Sequence, residues 1–352
     1  MGLAWIASLV RDRRWPSGFD SAIFRAALVL ALFTVLSAVF SRDPHASSRH
    51  LAGLSLLLLL PITMDLVRDT KQARAVLLAL AASGIVLALF GFVEFAKVRG
   101  DLYQRITGGL SHWMTFSGLT MIAACVLGGI ALESRGRRGM VAALAGLVPL
   151  AGMILSFTRN AYVGVLVALV SYLALRRPKG LLVAVPALVL FFFVMPGSVK
   201  TRFESIASMD DGSNRDRVLM AEAGLRMIKD SPIVGVGPEE VRALYPKYRD
   251  PAARDMYVPH LHDNAVQIAA ANGLPAAAAY LAMMAFFFVR TARLLRGERD
   301  PARAAILAAC WLAGTALFVA GFFEYNFGDT EVEMATLLVL AIPFSRAVAR
   351  EN

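Results

Sequence analysis

The sequence predicts an all-α, polytopic membrane protein, a bundle of about ten transmembrane helices with one large outward loop that carries short helices. Three observations carry that prediction. Of 352 residues, 57% are hydrophobic and only 18% charged, with mean hydropathy +0.60, whereas soluble proteins carry about 25% charged residues. Apolar runs long enough to cross about 30 Å of hydrocarbon recur along the whole chain. The gaps between those runs alternate in basic content. A water-soluble globule is excluded. Helices follow because a spanning segment must satisfy its own backbone hydrogen bonds inside lipid.

In chain order the spans fall at 21–40, 51–67, 75–96, 115–132, 140–157, 161–175, 181–195, 265–290, 304–325 and 331–347, within one membrane domain covering 1–352. The shorter ones suffice if their flanks sit in the interface. Before the first span, Met1–Val10 is weakly apolar and is followed by Arg11, Arg13 and Arg14 without a small-residue cleavage pattern. This predicts an interfacial segment and not a cleaved leader. Cys125 and Cys310 lie inside apolar runs, which predicts packing roles, with no disulfide framework and no metal site.

The gaps at 11–14, 68–74, 133–139, 176–180, 290–303 and from Arg346 onward hold nineteen Lys or Arg, against six in the opposite short gaps. Basic short gaps stay cytoplasmic, so both termini are expected there. The net charge of +10 is thus largely topology. It does not mark a nucleic-acid partner, which would need a basic face available in water.

Residues 196–264 form the one large hydrophilic stretch, between the seventh and eighth spans, and face outward under this assignment. Within it RVLMAEAGLRMIKD (217–230) sets Leu219, Ala223 and Ile228 near a 3.6-residue period before SPIVGVGP ends the helix with Pro and Gly. A short amphipathic helix near the membrane surface is expected. The loop closes on YVPHLHDNAVQ, where a helical pattern starts and runs into the eighth span. No internal repeat, P-loop, dinucleotide fingerprint, HExxH, CxxC or Gly-x-Ser-x-Gly occurs. ATP-driven transport and nucleotide-cofactor chemistry lose support, and no cofactor is expected.

Several polar residues break the charge pattern on the outward side. Arg105 lies in QRITGGLSHW, Arg159 in the tight turn SFTRNAYVG, and Arg215 and Arg217 on the loop helix; His260 and His262 close the loop. Guanidinium groups suit bidentate contact with phosphate oxygens, so an anionic lipid-linked substrate would fit them. For Arg105 the competing role is an interfacial anchor. Arg159 stands where the positive-inside rule disfavours a cation, which weights it towards function. His-x-His spacing can bind a metal, but no third His or Cys lies near it and Asp263 alone is a poor addition, so no metal is expected. A general base that reaches both a water-side acceptor and a membrane-bound donor is the better reading. Local capping is the competing role for both histidines, and His112 has the weaker claim.

Together these segments resemble the O-antigen ligase family, which also includes O-antigen polymerases and protein O-oligosaccharyltransferases. SFTRNAYVG resembles the family's outer-turn motif with its arginine at Arg159. RVLMAEAGLRMIKDSPIVGVGP resembles the arginine-led helix and its Pro and Gly-x-Gly turn, with the arginine at Arg217. HLHDNAVQIAAANGL resembles the His-x-His-Asn segment, pointing to His262 and leading to Gly273, and Arg105 with its Gly-Gly resembles a looser upstream motif. The likeness covers roughly 75–345. This chain departs from the pattern at Ala221, where the family usually has Trp, at Asn160, where Gly is common, and at Asp263, which precedes Asn264. Members often carry more spans than the ten read here, as if an N-terminal helix pair were missing.

The resemblance implies a bacterial inner-membrane glycosyltransferase with a periplasmic active site. The donor would be a glycan on a polyprenyl diphosphate, held by Arg159 and Arg217 with help from Arg105. The acceptor would be the hydroxyl of lipid A-core or of another glycan or protein. His262 would activate that hydroxyl, with His260, Arg215 and Asn264 as secondary candidates. The displacement would be single, inverting and metal-independent, because arginines neutralise the leaving diphosphate. A lipid-linked oligosaccharide transporter is the alternative from another class, but it calls for polar residues deep in the bundle. Here Arg25 and Glu94 sit near span ends.

Overall fold

The computed structural model describes residues 18–97, 105–194, 197–204 and 212–348, with Trp5, Leu9, Arg11 and Pro16. The rest of the expected interfacial segment Met1–Val10, Arg13, Arg14, part of the gap before Arg105, loop residues 205–211 and the tail 349–352 lie outside the described residues. Every regular element among the described residues is helical.

In chain order the helices are α1 (Ala22–Phe40), α2 (Pro44–Leu66), α3 (Thr70–Lys97), α4 (Trp113–Glu133), α5 (Gly136–Leu155), α6 (Arg159–Arg176) and α7 (Leu181–Val194). They continue as α8 (Gly197–Glu204), α9 (Gly212–Asp230), α10 (Glu240–Tyr248), α11 (Asn264–Asn272), α12 (Leu274–Gly297), α13 (Pro301–Ala320) and α14 (Thr330–Ala341). Among the described residues, seven are long and apolar enough to cross a membrane: α1 to α5, α12 and α13. The chain is therefore an all-α, multi-pass membrane bundle with additional loop helices.

Three of the ten expected spans fall outside these seven candidates, for physical reasons. A crossing needs about 20 apolar residues. α7 has 14 residues and α14 has 12, while the 18 residues of α6 include Arg159, Asn160 and Arg176 at their ends. The expected span 265–290 is broken: α11 stops at Asn272, Gly273 takes φ +89°, and α12 starts at Leu274. The expected span 304–325 ends at Ala320, which leaves Glu324 in a short return before α14.

The chain packs as two compact units. One comprises 69–211 and 290–320. Its centre is α4, which packs on α3, α5, α6 and α13. Small residues let these helices approach at their backbones: a methyl on Gly129 would strike Ala309, and one on Gly164 would strike the Ala316 carbonyl. Cys125 and Cys310 are free thiols buried here. Large apolar side chains such as Leu144, Leu147, Leu190 and Phe193 remain exposed, as expected of faces that meet lipid tails. At one end the buried Glu133 carboxylate accepts from Tyr172 Oη at 2.7 Å and Arg176 Nε at 3.1 Å.

The other unit comprises 1–68, 212–289 and 321–352. α14 packs on α2, and α11 packs on α1 and α9. Met220, Ala223 and Met227 of α9 form a small core with Val241 and Tyr245 of α10, Val258, Leu261, and Ala270 and Ala271 of α11. The buried stripe of α9 is Met220, Ala223, Gly224 and Met227; of the expected stripe, Ala223 is in it, while Leu219 and Ile228 are half-buried. The SPIVGVG segment then binds the end of α11. Val236 N donates to Ala270 O at 2.8 Å, Gly237 N to Ala271 O at 2.9 Å, and Leu274 N to Pro232 O at 2.8 Å. Ser37 Oγ of α1 adds a 2.6 Å bond to Ala271 O. The carbonyls that a broken helix leaves unpaired are thus satisfied.

Candidate functional site

The second unit described above holds a cluster built from three stretches of chain: residues 260–264 before and at the start of α11, the return 321–328 between α13 and α14, and the first half of α9. Asp263 caps α11, its carboxylate accepting from Val266 N at 2.8 Å. Burial raises the Asp263 carboxyl above its ordinary range, and the cap bonds partly offset that. Immediately before the cap, His262 sits at φ +54°. Left-handed backbone is uncommon for a residue with a Cβ, and such strain gathers at functional positions.

That conformation folds the two histidines against each other, with ring centroids 4.3 Å apart. Both meet Glu324. His262 Nδ1 lies 2.8 Å from Glu324 Oε2, and His260 Nε2 lies 3.3 Å from Oε1. The carboxylate is buried while each imidazole is about one-fifth exposed, at 24% for His260 and 20% for His262. Burial alone would raise the Glu324 carboxyl, but the bond from His262 and the charges of His262, His260 and Arg217 outweigh it and hold it below its ordinary range.

Arg217 joins the cluster from α9. Its Nε donates to Phe323 O at 3.1 Å, one residue before Glu324. Arg215 is exposed on the same helix, and residues two apart do not share a helix face. Between them Asp216 is buried and paired with Arg254, whose Nε donates at 2.7 Å. Asn264 is buried at the start of α11 and tied to the 321–328 return.

Arg159 and Arg105 belong to the unit centred on α4. α5 ends at Leu155 and α6 starts at Arg159, so the tight turn read from SFTRNAYVG is present. Phe157 takes φ +53°. It and His262 are the two non-glycine residues at positive φ among the described residues, and they fall in two of the segments that carry the candidate residues. Ser156 Oγ donates to Met153 O at 2.6 Å, and Tyr162 Oη to Ile154 O, which clamps the turn. Arg105 lies over the Trp113 ring at 5.1 Å, a cation–π contact. His112 caps α4 through Nδ1, which accepts from Met114 N at 3.2 Å.

The sequence reading missed Glu324. It lay inside the expected span 304–325, although a carboxylate in an apolar run is itself a signal of function. It also supplies the third group absent from the neighbourhood of the His-x-His pair: one ligating atom from each of His260, His262 and Glu324 lies within 4.8 Å of the others. As they stand, the contacts are hydrogen bonds between imidazole and carboxylate.

The fold is that of a multi-pass helical membrane protein, with a histidine–carboxylate cluster where α11 begins. Residues 142–281 match the family model of the O-antigen ligases. The match spans α5 to the first turns of α12, including Arg159, Arg217, His260 and His262, and leaves Arg105 and Glu324 outside. No curated protein matches the chain. The matched stretch is about two-fifths of the chain, and it gives family-level support for a likeness to the O-antigen ligases.

Proposed function

We propose that the protein transfers a glycan from a polyprenyl diphosphate to a hydroxyl acceptor at the periplasmic face of the bacterial inner membrane. Lipid A-core is the acceptor that the ligase likeness favours. Polymerisation of a lipid-linked glycan and transfer to protein use the same donor class and differ only in the acceptor.

The observation that carries this reading is the strained His262 beside a buried carboxylate and Arg217, within a stretch that matches the O-antigen ligase family. His262 would take the acceptor proton as the hydroxyl oxygen attacks the anomeric carbon. The glycosidic bond to the diphosphate breaks and the polyprenyl diphosphate leaves with the electron pair, inverting that carbon. Guanidinium charge from Arg217 would offset the charge that develops on the leaving group. Diphosphate-binding roles for Arg159 and Arg105 rest on the motif resemblance alone. With arginines supplying the positive charge, the scheme needs no metal.

The test is transfer by the purified full-length protein in detergent, given an undecaprenyl-diphosphate-linked glycan and, separately, rough-type lipopolysaccharide, free lipid-linked glycan and a candidate acceptor protein. Products are identified by mass. Glycan on lipid A-core supports ligation, and a longer lipid-linked glycan or a glycosylated protein supports the related reactions. No transfer to any acceptor, or activity lost to a chelator and restored by a divalent metal, would overturn the scheme.

A further inference from the structure

We propose that Glu324 is a positioning residue of the transfer reaction, fixing the tautomers of both histidines so that Nε2 of His262 is the nitrogen presented to the acceptor hydroxyl. The inference rests on the reading of His262 as the base, and goes beyond it by assigning a residue outside the family match.

The hydrogen bonds determine where the protons sit. His262 N donates to His260 Nδ1 at 3.3 Å, so that nitrogen is an acceptor and the neutral His260 ring carries its proton on Nε2. Nε2 of His260 faces Glu324 Oε1 at 3.3 Å, and a carboxylate only accepts. His260 therefore has both ring nitrogens engaged. His262 meets the other carboxylate oxygen through Nδ1 at 2.8 Å, so its proton sits on Nδ1 and Nε2 is the bare, basic nitrogen. Among the described residues Nε2 of His262 has no hydrogen-bond partner within the protein. Of four ring nitrogens, one can receive a proton.

The surrounding contacts hold this arrangement in place. Arg217 Nε on Phe323 O fixes the backbone next to Glu324. Asn264, two residues from His262, binds Asn326, two residues from Glu324, at 2.7 Å. When the acceptor proton moves to Nε2, the imidazolium stays bonded to an ionised carboxylate, which stabilises it without taking the proton, and the proton then passes to water. The charged groups that face Glu324 are His260, His262 and Arg217. Asp263, beside His262, is committed to the α11 cap.

The chain has five histidines, so 15N-histidine labelling of the full-length protein resolves them, with His262 assigned by its loss in His262→Gln. At alkaline pH the unaltered protein should show His262 as the Nδ1–H tautomer; an Nε2–H tautomer overturns the proposal without recourse to any variant. In transfer assays with the undecaprenyl-diphosphate-linked glycan, Glu324→Gln should lower kcat at least about tenfold and leave the donor KM within about twofold, and Glu324→Asp should recover part of kcat. Glu324→Gln at full kcat, or Glu324→Asp no better than Glu324→Gln, overturns it. His262→Ala run alongside separates the two readings. Normal transfer there removes the base, and with it everything assigned to Glu324. Loss of transfer there together with an unchanged Glu324→Gln removes only the role of Glu324.

Discussion

Asn264 Nδ2 donates to Asn326 Oδ1 at 2.7 Å across 62 residues of sequence. The same amide nitrogen donates to Tyr280 Oη at 3.0 Å, its oxygen accepts from Phe327 N at 3.1 Å, and its backbone N donates to Gly321 O at 2.7 Å. Both amide protons and the carbonyl are thereby used within the fold. Asn264 acts as a bracket that holds the return after α13 against the start of α11, and it sets Glu324 opposite the two histidines.

Asn264→Ala should therefore act through the fold. It leaves the Phe327 N–H and the Asn326 and Tyr280 side chains to find new partners in a buried network, at a cost of roughly 2–4 kcal/mol. Thermal unfolding in detergent should show a clearly lowered midpoint, with transfer falling in parallel. A midpoint equal to that of the unaltered protein would remove the bracket role.

The break between α11 and α12 leads to a second prediction. Gly235 (φ +70°) and Gly273 (φ +89°) meet where SPIVGVG docks on the end of α11, and a methyl on either would strike the facing carbonyl, of Ala271 or of Ile233. Gly235→Ala and Gly273→Ala should each lose more than about 1 kcal/mol, since Ala is strained at positive φ as well as crowded. The double variant should lose less than the sum because the two share one junction. Full stability of either single variant, measured by the same thermal assay, would show that the junction relaxes freely.

Much of this was legible in the sequence. Hydrophobic run length revealed the membrane bundle, and Ser-Phe-Thr-Arg between two runs revealed the tight turn at Arg159. The Pro and Gly-x-Gly after Asp230 marked the end of α9. Run length could not separate a helix that crosses from one that packs among others: α7 and α14 are apolar yet short, and α11 with α12 reads as one run because a single Gly is a weak break. The partnership of His262 with Glu324 depends on how a return between α13 and α14 folds back over 62 residues, and nothing local encodes such a distance.

Arg159→Lys tests the diphosphate clamp. Lysine keeps the charge but lacks the planar fork that grips two phosphate oxygens. Arg159 is the first residue of α6, after the Thr158 cap and the strained Phe157, so the helix should tolerate the exchange. Transfer should fall sharply, on the order of tenfold or more, with membrane insertion and thermal midpoint unchanged. Full activity would sink the clamp.

Glu324 also links stability to pH. Burial pushes its carboxyl up, but the bond from His262 and the charges of His262, His260 and Arg217 carry it below its ordinary value. A carboxyl held lower in the folded protein than in the unfolded chain adds stability above its unfolded pKa of about 4.3 and loses it as pH falls through the folded value. Glu324→Gln has no such proton to bind. The unaltered protein should therefore unfold at a higher temperature than Glu324→Gln at pH 7, and the gap should shrink once pH drops below about 4. Thermal unfolding of both proteins from pH 7 to pH 3 measures this. A gap that stays constant over the whole range would mean that the glutamate contributes through packing and not through its charge.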